Sequence, residues 1–165
     1  MAKYEDTILD KLQTLIDASD GDAITTFYKG DPLMMPKSDL PALLLIKDNT
    51  EIGDSSNAED YHRMNIVITL VVDIRDYVLD TPVNVHAGDQ KLYDIFEGRN
   101  ADFTLKSTSI IDILRSNEEL GNNAHIDLSV PMNVSYGFTV GKRGQKSWSQ
   151  EANLSISVYF TQLRV

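Results

Sequence analysis

The sequence has 165 residues and a mass of 18.5 kDa, a length that predicts one domain able to bury a real core. Apolar residues make up 42% and charged residues 24%, which excludes a disordered tail or a membrane-spanning bundle, and the lack of cysteine excludes disulfides and thiolate chemistry. A formal charge of −10 argues against a general phosphate-binding surface.

Residues 1–6 are polar and acidic and read as neither a secretory signal nor a transit peptide. The expectation is a chain made in, and soluble in, a cytoplasm. The triplets at Asn133 and Asn153 match the glycosylation pattern, but without an export signal they carry no meaning. Charge is uneven: residues 1–119 are net −12, whereas residues 120–165 are net +2. The basic part is concentrated in Lys142, Arg143 and Lys146, which read either as a solvated turn tip or as a contact with an acidic neighbouring surface.

The first element is a helix. Tyr4, Ile8, Leu9, Leu12, Leu15 and Ile16 share one face at a 3.6-residue period, and Gly21 is placed to end it. Ile24–Tyr28 is a short strand candidate. From Gly30 to Pro41, three prolines forbid a regular ladder and predict a stiff, extended loop arm. Ala42–Lys47 is a short apolar strand. The polar, acidic stretch from Asp48 to Asp60 reads as a mobile loop or contact arm.

Ile66, Ile68, Leu70, Val72 and Ile74 alternate along the clearest strand, whose other face is expected to start covered and end wet at Asp73 and Arg75. Thr81-Pro82 can open a helix, or Asp89 can, with Leu92, Ile95 and Phe96 buried and Gly98 as the stop. A second helix is predicted from Ser107 to about Asn117. Met132–Val140 and Leu154–Thr161 alternate and flank the basic glycine-rich segment, predicting a C-terminal antiparallel hairpin near residues 131–164. The segregated order of elements predicts an α+β domain: a mainly antiparallel β-sheet with an N-terminal helix and a central helix pair packed against it.

Motifs for chemistry are missing. No phosphate-cradling glycine loop precedes a helix, and His62, His86 and His125 lack ligand-spaced partners. His125 and Asp127 fall on one face of a strand, a pair that is structural more often than catalytic. The acidic run Asp17–Asp22 lacks the calcium-loop glycine and distal glutamate. No serine sits in a nucleophile turn, and no pair of carboxylates is singled out. The expectation is no cofactor, no metal and no catalysis. Trp148 reads as an anchor for the hairpin or as an interface residue.

At Gly30-Asp31-Pro32, Pro36, Ser38-Asp39-Leu40-Pro41-Ala42 and Trp148-Ser149-Gln150-Glu151-Ala152, the sequence resembles the small tail terminator and tail completion proteins of long-tailed bacteriophages. The segment Asp54–Asn57 carries none of that family's signature. The resemblance implies a structural virion protein of the tail and neck, assembled in the host bacterial cytoplasm. Its subunits would form a homo-hexameric ring that caps the tail tube protein, stops its growth and joins neck or head-completion proteins. Genome DNA would be passing cargo in an acidic lumen, with no membrane involved. On this reading Asp31, Pro32, Met34, Met35 and Pro36, with Lys142, Arg143, Lys146 and Trp148, belong to subunit or ring contacts. A neck connector or stopper ring shares the same coarse pattern. A small acidic binding module outside any virion, or an enzyme with an unrecognised carboxylate site, stays open from the residues alone.

Overall fold

The computed structural model describes residues 4–54, 56, 58–76, 81–82, 85–121, 123–137, 141–142 and 148–163; of 75–76, 81–82, 85–87, 141–142 and 148 it describes the backbone only. Helix α1 (Tyr4–Asp17) buries Ile8, Leu9, Leu12 and Ile16, the stripe that its periodicity marks. After it, Gly21 and Asp22 both take positive φ, at 68° and 61°. The Asp20 carboxylate accepts the backbone N–H groups of Asp22 and Ile24, at 3.1 and 3.0 Å, and so fastens the turn.

Strand β1 (Thr26–Lys29) pairs in parallel with β2 (Ala42–Asp54). Parallel neighbours need a crossover of about a dozen residues. The proline-rich segment 30–41 is that crossover. It does not extend away as a free arm: it runs back over one face of the sheet, buries Met35, makes a 3-10 turn at Lys37–Asp39 and reaches β2 through a cis Leu40–Pro41 bond.

The predicted mobile loop 48–60 is mostly strand. β2 continues to Asp54, past a bulge between Lys47 and Asn49, and β3 (Glu59–Asp73) returns from Glu59 in register with it. The segment is polar because it projects beyond the core, so its strands are held by cross-strand partners and not by burial. The two short strands β4 (Arg75–Asp76) and β5 (Thr81–Pro82) pair with each other. Thr81-Pro82 therefore does not cap a helix; helix α2 (Val85–Glu97) starts after it and before Asp89. Helix α3 (Ile110–Ser116) begins where Ser109 Oγ accepts the Asp112 N–H at 3.4 Å, and buries Ile110, Ile111, Ile113 and Leu114.

The last third holds β6 (Glu119–Gly121), β7 (Ala124–Ile126), β8 (Asn133–Tyr136), β9 (Gly141–Lys142) and β10 (Trp148–Leu163). The main sheet runs β1-β2-β3-β10-β7-β6, and β8 and β9 also pair with β10. β10 matches β3 from Ser149↔Asp73 to Leu163↔Glu59. Its other edge meets β9, β8 and β7 in turn, and the β8–β10 ladder bears out the predicted hairpin. The chain is an α+β fold with a mixed, mainly antiparallel sheet. Phe138 and Val140, also assigned to that hairpin, lie outside the described residues.

The core is one-sided. Even-numbered residues of β3 and β10, such as Ile66, Ile68, Leu70, Leu154 and Val158, join Leu43 and Leu45 under the three helices. On the reverse face a smaller cluster of Met35, Ala42, Leu44 and Val71 lies beneath the crossover. That crossover also corrects the expected wet end of β3: Thr69 and Asp73 are only 3% and 5% exposed. At the α2 end, Gln150 is fully buried and donates to the Asp89 carboxylate and to the Gly137 carbonyl. Its oxygen has no hydrogen-bond partner among the described residues and points at Gly88.

A Cβ at Gly88 would collide with Gln150 Oε1 and stand 2.5 Å from Ile74 Cγ2. Gly88→Ala is expected to lower unfolding stability by about 1–3 kcal/mol, because overpacking outweighs the gain in helix propensity. Gly53→Ala, with nothing within 4 Å, should change it by less than about 1 kcal/mol. Urea denaturation of the two variants checks the difference.

Candidate assembly surfaces

The crossover is pinned at both ends and exposed at its tip. The Tyr28 hydroxyl donates to the Asp39 carboxylate, which pushes the phenol above the usual tyrosine range. Lys37 Nζ lies 3.9 Å from the Asp73 carboxylate, and Met35 is 2% exposed within the reverse-face cluster. Between these anchors Leu33 is 95% exposed and Met34 is 65% exposed. Of the contact residues expected in this loop, Asp31 and Pro36 are exposed and Pro32 is half-buried. Met35 is the exception: it packs into its own sheet, so it holds the loop down and does not present itself to a neighbour. Leu33 is the contact candidate that sequence reasoning missed. Its signal was weak, since an isolated leucine between prolines has no period to reveal which way it faces.

The second surface is a three-stranded arm. Beyond Met64 the outer halves of β2, β3 and β10 extend together, over roughly 15 Å for the five residues from Glu59 to Arg63. At its base Tyr4 packs on Phe160 at 4.8 Å, His62 stacks on Phe160 at 4.8 Å, and Glu5 accepts from Thr50 and Lys47. Ile52, directly opposite His62, and Leu163 at the far end are each 67% exposed, among Glu51, Asp54, Glu59 and Asp60. On the reverse face of the same region, His125, Tyr159 and Tyr61 stack in sequence across β7, β10 and β3, with centroids 5.3 and 6.3 Å apart.

Next to that stack the Asp127 carboxylate accepts from Arg63, from the Ser129 hydroxyl and from the Ser129 N–H at 3.1 Å. The Ser129 hydroxyl bond, and then Arg63, hold Asp127 below the usual carboxylate range although burial opposes it. His125 faces Tyr159, and Asp127 is engaged by Arg63 and Ser129, so the His–Asp pair of the sequence turns to different partners. Among the described residues no three His, Cys, Asp or Glu side chains gather as a metal site.

The turn at Asp127 leads along the outer flank of β10, where two hollows lie on either side of residues 130–131. One, about 290 Å³, is lined by Arg115, Leu128, Val130, Pro131 and Met132. The other, about 250 Å³, is floored by Asn65, Ser155 and Ser157. Its side chains bond one another: Ser157 donates to Asn65, and Asn65 to Asn49 at 2.6 Å.

Of the basic contact residues, Arg143 and Lys146 lie outside the described residues. Lys142 and Trp148 are brought together as direct cross-strand partners, where β9 meets the start of β10. No described helix is long and apolar enough to cross a membrane. In comparison with known proteins, the chain matches no family model, and no characterised protein is significantly similar to it.

Asp127 ionises more readily in the folded chain than in the unfolded one. Its contribution is therefore complete above the unfolded pKa of about 3.9 and is lost as pH falls through the lower folded value. Asp127→Asn should cost about 1–3 kcal/mol at neutral pH through weakened hydrogen bonds. It should also flatten the loss of stability below about pH 4. Thermal unfolding of both proteins from pH 7 to pH 3 reads both effects.

Proposed function

We propose that this chain is a structural ring subunit of a long-tailed bacteriophage, acting as a tail terminator that caps the tail tube and joins it to the neck. The observation that carries the reading is the placement of exposed apolar side chains. Leu33 and Met34 stand on a pinned loop, and Ile52 and Leu163 stand on a projecting arm. Large apolar groups on protruding elements favour protein contacts over a solvated surface. The motif residues that resemble tail terminators include this same loop, from Gly30 to Ala42.

The charge fits such a role. Asp48, Glu51, Asp54, Glu59 and Asp60 make the arm region acidic. Acidic side chains facing a lumen would repel phosphate and let DNA pass without sticking. Lys142, Arg143 and Lys146 supply the opposite charge for a contact with a neighbouring acidic surface. No residue is assigned a catalytic task, no cofactor is needed, and the partners are other copies, the tail tube protein and neck or head-completion proteins.

Native mass spectrometry with negative-stain imaging tests the assembly. The expected result is a closed ring, a hexamer near 111 kDa by roughly six times the chain mass, that decorates one end of purified tail tubes. A chain that remains monomeric at high concentration and leaves tail tubes bare contradicts the proposal.

A further inference from the structure

We infer that the Leu33–Met34 tip of one copy seats in the hollow beside Arg115, Leu128 and Met132 of the next copy. The inference rests on the ring reading and names the contact that would build it. The tip is held in place before any encounter, by buried Met35, by Tyr28 on Asp39 and by Lys37 near Asp73. Little ordering is then left to the moment of binding.

The hollow matches the tip in size and character. Its volume of about 290 Å³ corresponds to roughly ten waters of liquid, at about 30 Å³ each. Leu33 and Met34 together present eight side-chain heavy atoms. The lining is mainly apolar, and Leu128 is 42% exposed there. Arg115 is the cationic lining residue, and Asp31 lies two residues before the tip. Opposite charges beside an apolar contact fix register and favour encounter.

Position makes the occupant a second copy. The tip belongs to the β1–β2 side of the sheet, and the hollow belongs to the β7–β8 linker beyond β10. The strands β3 and β10 stand between them, so a chain cannot fill its own hollow. Complementary patches on opposite flanks give a head-to-tail contact, which closes into a ring when the rotation per subunit allows it.

The chain has no cysteine, so a designed pair gives a clean readout. The full chain carrying Leu33→Cys and Leu128→Cys is mildly oxidised and run on a non-reducing gel, with each single variant as control. A ladder reaching the ring's copy number is expected for the double variant, and none beyond dimer for the singles. In parallel, Leu33→Glu with Met34→Glu should weaken self-assembly roughly a hundredfold or more. Asp31→Arg should also weaken it, with recovery when Arg115→Asp is added. Should the glutamate variant misfold by circular dichroism, the cysteine pair and the charge swap decide the matter.

Rings that form in the parent chain without the ladder overturn this contact and leave the ring reading standing. A parent chain that does not assemble at all overturns both. Loss of tail-tube binding with self-assembly intact would mean that the tip meets a different protein, and overturns the inference as well.

Discussion

The pairing of β3 with β10 is the constraint on which the rest of the molecule depends. Fifteen consecutive residues of β10, from Ser149 to Leu163, match β3 without a break. Because side chains alternate along a strand, this one register assigns every even-numbered residue of both strands to the helix side. A slip of β10 by one residue would turn Leu154, Ile156 and Val158 away from the helix side and bury Asn153 and Ser155 in their place. Each large aliphatic side chain in that set is worth about 1.5–3 kcal/mol on burial, so register is enforced by the core as well as by hydrogen bonds. The exposed ion pairs, such as Lys29 with Asp10, add little by comparison.

The two faces of the sheet serve different ends. The helix side is closed by α1 toward the arm and by α2 toward the start of β10, where Gln150 links the helix to the strands. The reverse side is covered by the crossover, which reaches from β1 and β2 to Val71 and Asp73 of β3. It also carries short polar pairs, such as Thr69 with Asn153 at 2.6 Å. Exposed apolar groups stand instead on the crossover tip, the arm and the Leu128 turn, with Phe103 on the α2–α3 loop and Tyr93 on α2 besides. Because one rigid seam separates the tip from the hollow beside Arg115, their spacing is set by the fold and not by a flexible linker. A subunit that must meet identical neighbours at a constant angle has use for that rigidity.

Much of this fold was legible in the residues. The stripe from Ile8 to Ile16, the alternation of β3 and the hairpin of β8 with β10 each carry a strong period, and each forms where expected. What failed was decided by partners that a local window does not contain. Residues 48–60 look like loop because they are polar, yet β3 is itself paired through to Glu59, and that template draws the end of β2 into the ladder. Asp73 reads as wet because nothing nearby in sequence covers it; Lys37, more than thirty residues earlier, lies 3.9 Å from its carboxylate. Thr81-Pro82 matches a helix start locally, but the pairing of Thr81 with Asp76 takes it into a strand. For the candidate site, Asp31, Met34 and Pro36 were recognisable as an exposed loop. Leu33 was hidden for want of a period, and Leu128 with Arg115 for want of any sequence proximity.

Native-state hydrogen exchange at each backbone amide tests the primacy of the seam most directly. Amides of β3 from Ile66 to Val72 and of β10 from Ala152 to Val158 should exchange only through global unfolding, and more slowly than those of α2 and α3. The opposite order, with β10 opening locally while the helices remain protected, would contradict the view that this strand pair holds the molecule and spaces its contact surfaces.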